Sequence, residues 1–448
     1  FDSYTGPSGS SSLSRSAGMF ANFNYSWDNR YLIDLTGRID GSSNFASKQR
    51  SAPFWSAGVR WNIYNEKFMK THGWFENLAV RANIGTVGNQ NFQLSQIMTL
   101  YNFLKMYDGV MGAEIMSIAN PELKWQTTLN RNIGLEFSLL QGLVNLDFNY
   151  YSNITKNNLT DIAILPSTGF STYKANMGKV RNQGYEFSLS ITPIKKNGWI
   201  VNAFVNGAHN KNKLLNISDA LRDYNEVIKE NQTAHLNYAG YTQLERIFLF
   251  EEGQSLNSIF AVRSMGIDPG TGQEIFVTAD GVQTFQWNAA DQVVVGNTEP
   301  TLKGYFGLNV DYKRWSFGAN FQYSFGADRY NKTLYEKIEG GNFAQNADRR
   351  ALTQRWTKPG DVAKYRGYGN TSQLKPTSRF VQKDDFLSMT SARLSYTLNA
   401  NDLQALGISL LKFTLSTNDL FYVSTIKQER GLSYPFARTF YFSLQANF

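Results

Sequence analysis

Hydrophobic residues in this chain recur with period two, and no other feature limits its fold so strongly. The last eleven residues, RTFYFSLQANF, put Thr439, Tyr441, Ser443, Gln445 and Asn447 on one face of an extended strand. Phe440, Phe442, Leu444, Ala446 and Phe448 fall on the other. YLIDLTGRID repeats the pattern, with Tyr31, Ile33, Leu35, Gly37 and Ile39 opposite Asp34, Thr36, Arg38 and Asp40. In LVNLDFNYY, Val144, Leu146, Phe148 and Tyr150 oppose Asn145, Asp147 and Asn149. RWSFGANFQYSFG sets Trp315, Phe317, Ala319, Phe321, Tyr323 and Phe325 against small and amide residues, and SARLSYTL sets Ala392, Leu394, Tyr396 and Leu398 against Arg393, Ser395 and Thr397. Many of these runs are about ten residues or longer, against a mode of about five or six in soluble sheets, and that is the length a strand needs to cross a bilayer. Charges in these runs sit on the polar face, as lipid contact requires.

Composition narrows the class. Aromatic residues reach 15% and charged residues only 18%, and no stretch approaches eighteen consecutive apolar residues, so a membrane-spanning helix is excluded while an aromatic-girdled barrel is not. The chain has no cysteine, and its three histidines, His72, His209 and His235, lack ligand spacing; neither a metal nor another cofactor is expected. The net charge of +8 is spread without a basic run, which favours anionic lipid headgroups and argues against nucleic acid. No Gly-x-Ser-x-Gly occurs and no serine stands at a suggestive spacing from His209, so no catalytic residue is nominated and an enzyme is not expected.

Connections alternate short and long. Short turns fall at 27–30, 141–142, 193–198, 312–314 and 399–407, with 64–77 a longer member of the set. Long ones run near 41–51, 87–123, 156–177, 212–300, 326–379 and 424–434. Outer-membrane barrels join strands in this way, with short periplasmic turns and long extracellular loops. About thirteen strands follow, near 15–26, 30–40, 52–62, 78–86, 124–140, 143–155, 178–192, 199–211, 301–311, 315–325, 380–398, 408–423 and 435–448. An odd count leaves two edges whose backbone groups lipid cannot satisfy, so these strands should not close a barrel alone. FDSYTGPSGSSSLS, at the start, reads as the middle of a polar extracellular loop rather than a natural beginning. The expectation is an all-β, transmembrane, antiparallel up-and-down β-barrel of which residues 1–448 are one part.

Several segments then resemble one family, in order from end to end. RYLIDLTGRIDGSSNFA (30–46) with APFWSAGVRWNI (52–63), NPELKWQTTLNRNIGLEF (120–137), KVRNQGYEFSL (179–189), VGNTEPTLKGYFGLNVDYKRWSF (295–317), RWTKPGD (355–361), STNDLFYVS (416–424) and the closing YPFARTFYFSLQANF are similar to the C-terminal half of the SusC/RagA-type TonB-dependent transporters of Bacteroidetes outer membranes. Gln126 departs from the pattern, where the family often has glutamate. The resemblance implies a plugged barrel of about twenty-two strands, with this chain supplying the tenth onward. It also implies a plug and a TonB-contacting motif on the missing N-terminal portion, a SusD-like lipoprotein lid, and import of an oligosaccharide or oligopeptide. Phe440, Phe442 and Phe448 would be the terminal signal read by the barrel-assembly machinery.

Candidate residues follow from position. Asp34, Arg38, Asp40, Asp147 and Arg393 would line the lumen and meet the plug, although the Arg38–Ser43 cluster also reads as a satisfied turn in which Gly41 supplies an unusual backbone conformation. Trp287, Trp356, Tyr365 and Tyr368, aromatic residues in polar loops, could stack on sugar rings or peptide side chains; packing of loop on loop, or against the lid, is the alternative. Trp199, Trp315 and Tyr312 would be girdle anchors facing outer-membrane lipid and lipopolysaccharide. DPGTGQE (268–274) offers oxygen donors for calcium or a plain Pro-Gly turn. Three functions stay open: an importer, a non-transporting outer-membrane barrel acting as an adhesin or structural component, or a soluble β-rich adhesin that would be extracted without detergent.

Overall fold

The alternating segments form one sheet. In the computed structural model, the described residues are 13, 15–43, 50–69, 74–89, 99–107, 109–117, 120, 123–163, 170, 172–176, 178–230, 249–341, 348–369, 374–399, 407–426 and 438–448. His72, His235 and the polar stretch 1–12 lie outside them. Thirteen strands follow one another around the sheet in chain order: β1 (Ser16–Trp27), β2 (Tyr31–Ser42), β3 (Ser51–Asn62), β4 (Phe75–Asn89), β5 (Gln126–Leu139), β6 (Val144–Lys156), β7 (Gly178–Lys196), β8 (Trp199–Ile217), β9 (Leu302–Tyr312), β10 (Trp315–Phe325), β11 (Phe386–Asn399), β12 (Leu410–Asn418) and β13 (Thr439–Asn447). Every pairing between neighbours is antiparallel, and the short strand Tyr422–Ser424 adds to β11. Among the described residues β1 pairs only with β2 and β13 only with β12, so the sheet has two edges, as the odd count requires.

Register explains why the period matters. Directly opposed residues share a face, so Asp34 of β2 stands beside Gly58 of β3, Gly58 beside Asn83 of β4, and Asn83 beside Asn132 of β5. On the other face Ile33 meets Val59, Val59 meets Ala82 and Ala82 meets Ile133. Many large apolar side chains of that face are left exposed, Phe23, Ile33, Val59, Ile133, Phe317, Leu394, Leu415 and Phe442 among them. A patch that size is not stable in water. The buried apolar clusters gather instead at the long-connection end, among them Ile259, Tyr330, Tyr335 and Phe380.

Several boundaries differ from the sequence reading. The 193–198 turn is tighter than expected: Lys196 opposes Trp199, leaving only Asn197 and Gly198 in the loop, both with positive φ (54° and 80°). That is the Asn-Gly geometry whose twist suits a hairpin. The displaced Thr192 and Pro193 sit in a bulge between Ile191 and Ile194, where a missing N–H is tolerated. Gly41 is an ordinary strand residue paired with Ala17 and Ser51 and not among the positive-φ glycines, because β2 runs on to Ser42. Residues 380–398 divide into Val381–Lys383 and β11, and 408–423 into β12 and Tyr422–Ser424.

The long connections carry structure of their own. Hairpins Leu100–Tyr107 with Val110–Ser117 and Leu159–Ala163 with Thr172–Asn176 occupy two of them. Beyond β8, a helix, Asp219–Glu230, precedes a four-stranded sheet of Ser258–Ile267, Glu274–Val277, Gln283–Thr284 and Gln292–Asn297. A π-helical segment, Thr333–Glu339, and a short helix, Arg349–Thr353, fill the connection after β10.

Candidate functional site

Two surfaces hold the polar chemistry: the polar face of the wall, and a platform built by the two largest connections. On the wall, Arg60 of β3 grips Glu136 of β5 with both nitrogens, at 2.9 and 2.6 Å. Arg81 of β4 bonds the same carboxylate and reaches Asp147 (3.1 Å) and Asn149 (2.7 Å) of β6. The chain of charges therefore ties four consecutive strands. One half-exposed pair contributes about 0–1 kcal/mol, but a shared network also fixes the mutual register of its strands. Asp147 was expected on this face; Arg60, Arg81 and Glu136 were missed, although each occupies a polar position of the alternation.

Beyond the charges the face is rich in amides. Asn83, Asn130, Asn132, Asn149, Asn153, Asn182 and Asn210 line an open depression of about 680 Å³ with Arg81, Tyr151 and Glu186. An amide donates and accepts at once, so this wall can hydrogen-bond a polar partner of either character without requiring it to be charged. Asp34, Arg38, Asp40 and Arg393 share the face. Arg38 bonds Asp40 at 2.6 Å, and both line a cleft with Phe54 and Trp125. Arg393 stands exposed beside Gly318 and Ser416.

The platform is held by a buried ion-pair knot. Arg379 binds Glu274 through two nitrogens (3.1 and 2.9 Å) and Glu339 at 2.7 Å, while Arg366 binds Glu339 at 3.0 Å. Burial works against the Arg379 charge, but the two carboxylates outweigh it and its pKa is raised. Arg355 donates to the carbonyls of Ala351, Arg366, Ile338 and Glu339, and burial lowers its pKa. Tyr330 and Tyr335, packed on Phe380, have their hydroxyl pKa values pushed up, first by burial. The platform is anchored to the wall by Glu299, which accepts from the Asn212 backbone of β8 at 3.1 Å, and its own segments are joined by Asp328, which accepts from Asn297 N at 2.9 Å and pairs with Lys383.

The loop aromatics go mainly to this packing. Trp287 donates to the Pro376 carbonyl (3.2 Å) under the Lys375 ammonium, and Trp356 donates to the Pro269 carbonyl (2.9 Å) with its ring against Gly272 and Gly367. Tyr365 is buried; Tyr368 is 47% exposed, its ring under the Arg355 guanidinium. Of the four, Tyr368 is the most exposed. In DPGTGQE, Asp268 accepts from the Thr271 hydroxyl (2.6 Å) and backbone (3.0 Å), bonds that hold its carboxyl below the usual range, and Glu274 is taken by Arg379. The segment is a turn, and among the described residues no group of three or more acids or histidines is placed to hold a metal.

On the apolar face, Trp199 stacks on Tyr312 at 4.1 Å, Tyr312 opposes Trp315, and Trp315 packs on Tyr396 at 4.7 Å. The three expected aromatics thus form one row at the short-turn end, which Tyr396 extends, and Trp27, Tyr31 and Trp61 continue it on β1–β3. Phe440 and Phe442 point from the apolar face of β13, and Phe448 follows it; all three are more than half exposed.

Comparison with known proteins agrees with this architecture. Residues 1–255 match the family described as TonB dependent receptor-like, beta-barrel. The TonB-dependent receptor P39 of Formosa agariphila is 28% identical over 442 residues, 90% of this chain and 42% of that protein. The TonB-dependent receptor SusC of Bacteroides thetaiotaomicron is 27% identical over 348 residues, 73% of this chain and 33% of that one. A solved structure of the RagAB peptide importer in its closed-closed state superposes with a TM-score of 0.77 at 26% identity, covering 92% of this chain and 44% of that one. The chain thus spans less than half the length of these relatives. It belongs to the TonB dependent receptor-like β-barrel family, whose members are outer-membrane proteins.

Proposed function

We propose that this chain is the C-terminal part of the wall of a TonB-dependent outer-membrane importer, supplying strands ten to twenty-two of about twenty-two. One observation carries the reading: a continuous thirteen-stranded sheet with a polar and an apolar face, joined by short turns at one end and long structured connections at the other. Such a sheet is suited to lipid on one side and to an aqueous, plugged lumen on the other. Asp34, Arg38, Asp40, Asp147 and Arg393 then face the lumen and help seat the plug. Trp199, Tyr312 and Trp315 anchor the periplasmic girdle, and the platform rings the extracellular mouth.

The part this chain plays in import is passive. It supplies a rigid wall, a polar surface for plug and ligand, and loops for a SusD-like lipoprotein lid, while TonB acts on a plug carried elsewhere in the protein. The cargo is a large nutrient, an oligosaccharide or an oligopeptide. Phe440, Phe442 and Phe448 serve recognition by the barrel-assembly machinery. The mouth loops make an adhesin or structural barrel the second reading.

The two readings separate in cells. With a labelled oligosaccharide or oligopeptide library, uptake through the full-length protein should vanish when TonB is deleted and return when it is restored. Uptake that ignores TonB, or surface binding with no entry, would favour the adhesin.

A further inference from the structure

The apolar face carries charge in one place. On β5–β8 the ionised side chains of that face are Arg131, Lys156, Lys179, Arg181, Lys211 and Lys213 at the long-connection end, and Lys196 at the opposite turn. Their three acids, Glu136, Asp147 and Glu186, all occupy the polar face. Register places the six in successive rows. Gln183 opposes Lys211 and Ser152 one row above the aromatic row of Tyr150, Tyr185 and His209. Arg181 opposes Lys213 in the next row, and Lys179 opposes Lys156 in the third. At strand and residue spacings of about 4.8 and 3.4 Å, the patch is about 15 Å on a side. Leu129 and Ile154 lie within it, and opposed residues put them beside Arg181.

Its height on the wall is informative. From Trp199 to His209, β8 rises roughly 25 Å at a tilt of about 40°, the height of the apolar band of such barrels. The cations begin where that band ends, at the level of outer-leaflet headgroups. None of the six makes an ion pair among the described residues, and the Nε of Arg181 is buried there without a hydrogen-bond partner. The loop carboxylate Glu252 is turned to Arg222, the Asn216 amide and the Ile217 backbone.

We propose that this patch is a docking site for a phosphorylated lipid headgroup of the outer leaflet. The phosphates would lie among Arg131, Arg181, Lys211 and Lys213, with acyl chains descending over Ile133, Phe148 and Leu135. Arginine and lysine together suit a bis-phosphorylated glycolipid, since the guanidinium forks onto phosphate oxygens and the ammonium adds charge. Interspersed Leu129 and Ile154 fit an amphiphile better than a fully hydrated anion. The inference rests on the membrane reading above.

Native mass spectrometry of the full-length transporter, extracted in mild detergent and titrated with bis-phosphorylated lipid A or its phosphate-free counterpart, tests the site. The phosphorylated lipid should bind preferentially. The double variant R181Q/K213Q should lose roughly tenfold to thirtyfold in affinity, at about fivefold per cation near a charged surface. The same charge loss at the opposite end, K195Q/K196Q, should leave binding unchanged. Heat-modifiable electrophoretic mobility checks that each variant is folded. Equal binding of both lipids, equal losses in both variants, or full displacement by millimolar inorganic phosphate would overturn the proposal. Failure of the transporter to fractionate with outer membranes would overturn the membrane reading itself, a separate result.

Discussion

At the scale of single residues, charge placement separates structural from functional roles. Arg379 is the centre of the platform knot, and its removal leaves buried Glu274 without its ion-pair partner and Glu339 with Arg366 alone. Arg379→Gln should cost about 3–5 kcal/mol of platform stability. Limited proteolysis of the full-length protein should then cleave within 253–385, while the wall keeps its heat-modifiable mobility; loops that resist protease would show that the knot is dispensable. None of this was legible in the sequence. Glu274 and Arg379 are 105 positions apart, and neither lies in a periodic run that would place it. The loop aromatics show the converse. Trp287 and Trp356 are conspicuous as polar-loop tryptophans, yet composition cannot tell a ring that awaits a ligand from one that donates to Pro376 or Pro269.

At the scale of elements, all thirteen wall strands could be read from the chain, because the alternation that makes a strand two-faced is local. Their ends were less legible. β8 continues six residues past its expected stop, to Ile217, because Leu214 and Ile217 pack on Val180 and Leu221 in a cluster that only the folded chain assembles. Lys179 and Arg181 were visible as part of a strand, but their convergence with Lys211 and Lys213 needs the β7–β8 register. The same register explains Gly184, the glycine of the Asn-x-Gly-x-Glu segment: a Cβ there would lie 1.9 Å from the His209 carbonyl oxygen. Gly184→Val should therefore push β7 and β8 apart and cost about 1–3 kcal/mol. The temperature at which the full-length protein changes electrophoretic mobility should fall; an unchanged transition would mean that the strands separate at no cost.

At the scale of the whole molecule, the two faces make a prediction that adjacent residues can test. The 448 residues contain no cysteine, so Leu308→Cys and Asn309→Cys introduce thiols on opposite faces of β9. In outer-membrane vesicles carrying the full-length protein, position 308 should react only with a lipid-soluble maleimide and position 309 with a water-soluble one. Reaction of both with the water-soluble reagent would place the sheet outside the bilayer. The contrast between strict strands and generous loops also bears on how such proteins diverge. Deleting one residue from Trp315–Phe325 would exchange the two faces from that point onward, turning Phe side chains to water and amides to lipid. An insertion in the segment between Ile217 and Leu302 changes loop closure only logarithmically. Heritable change in length is thus channelled to one rim of the molecule, so a lineage can rebuild that rim while inheriting its wall residue for residue.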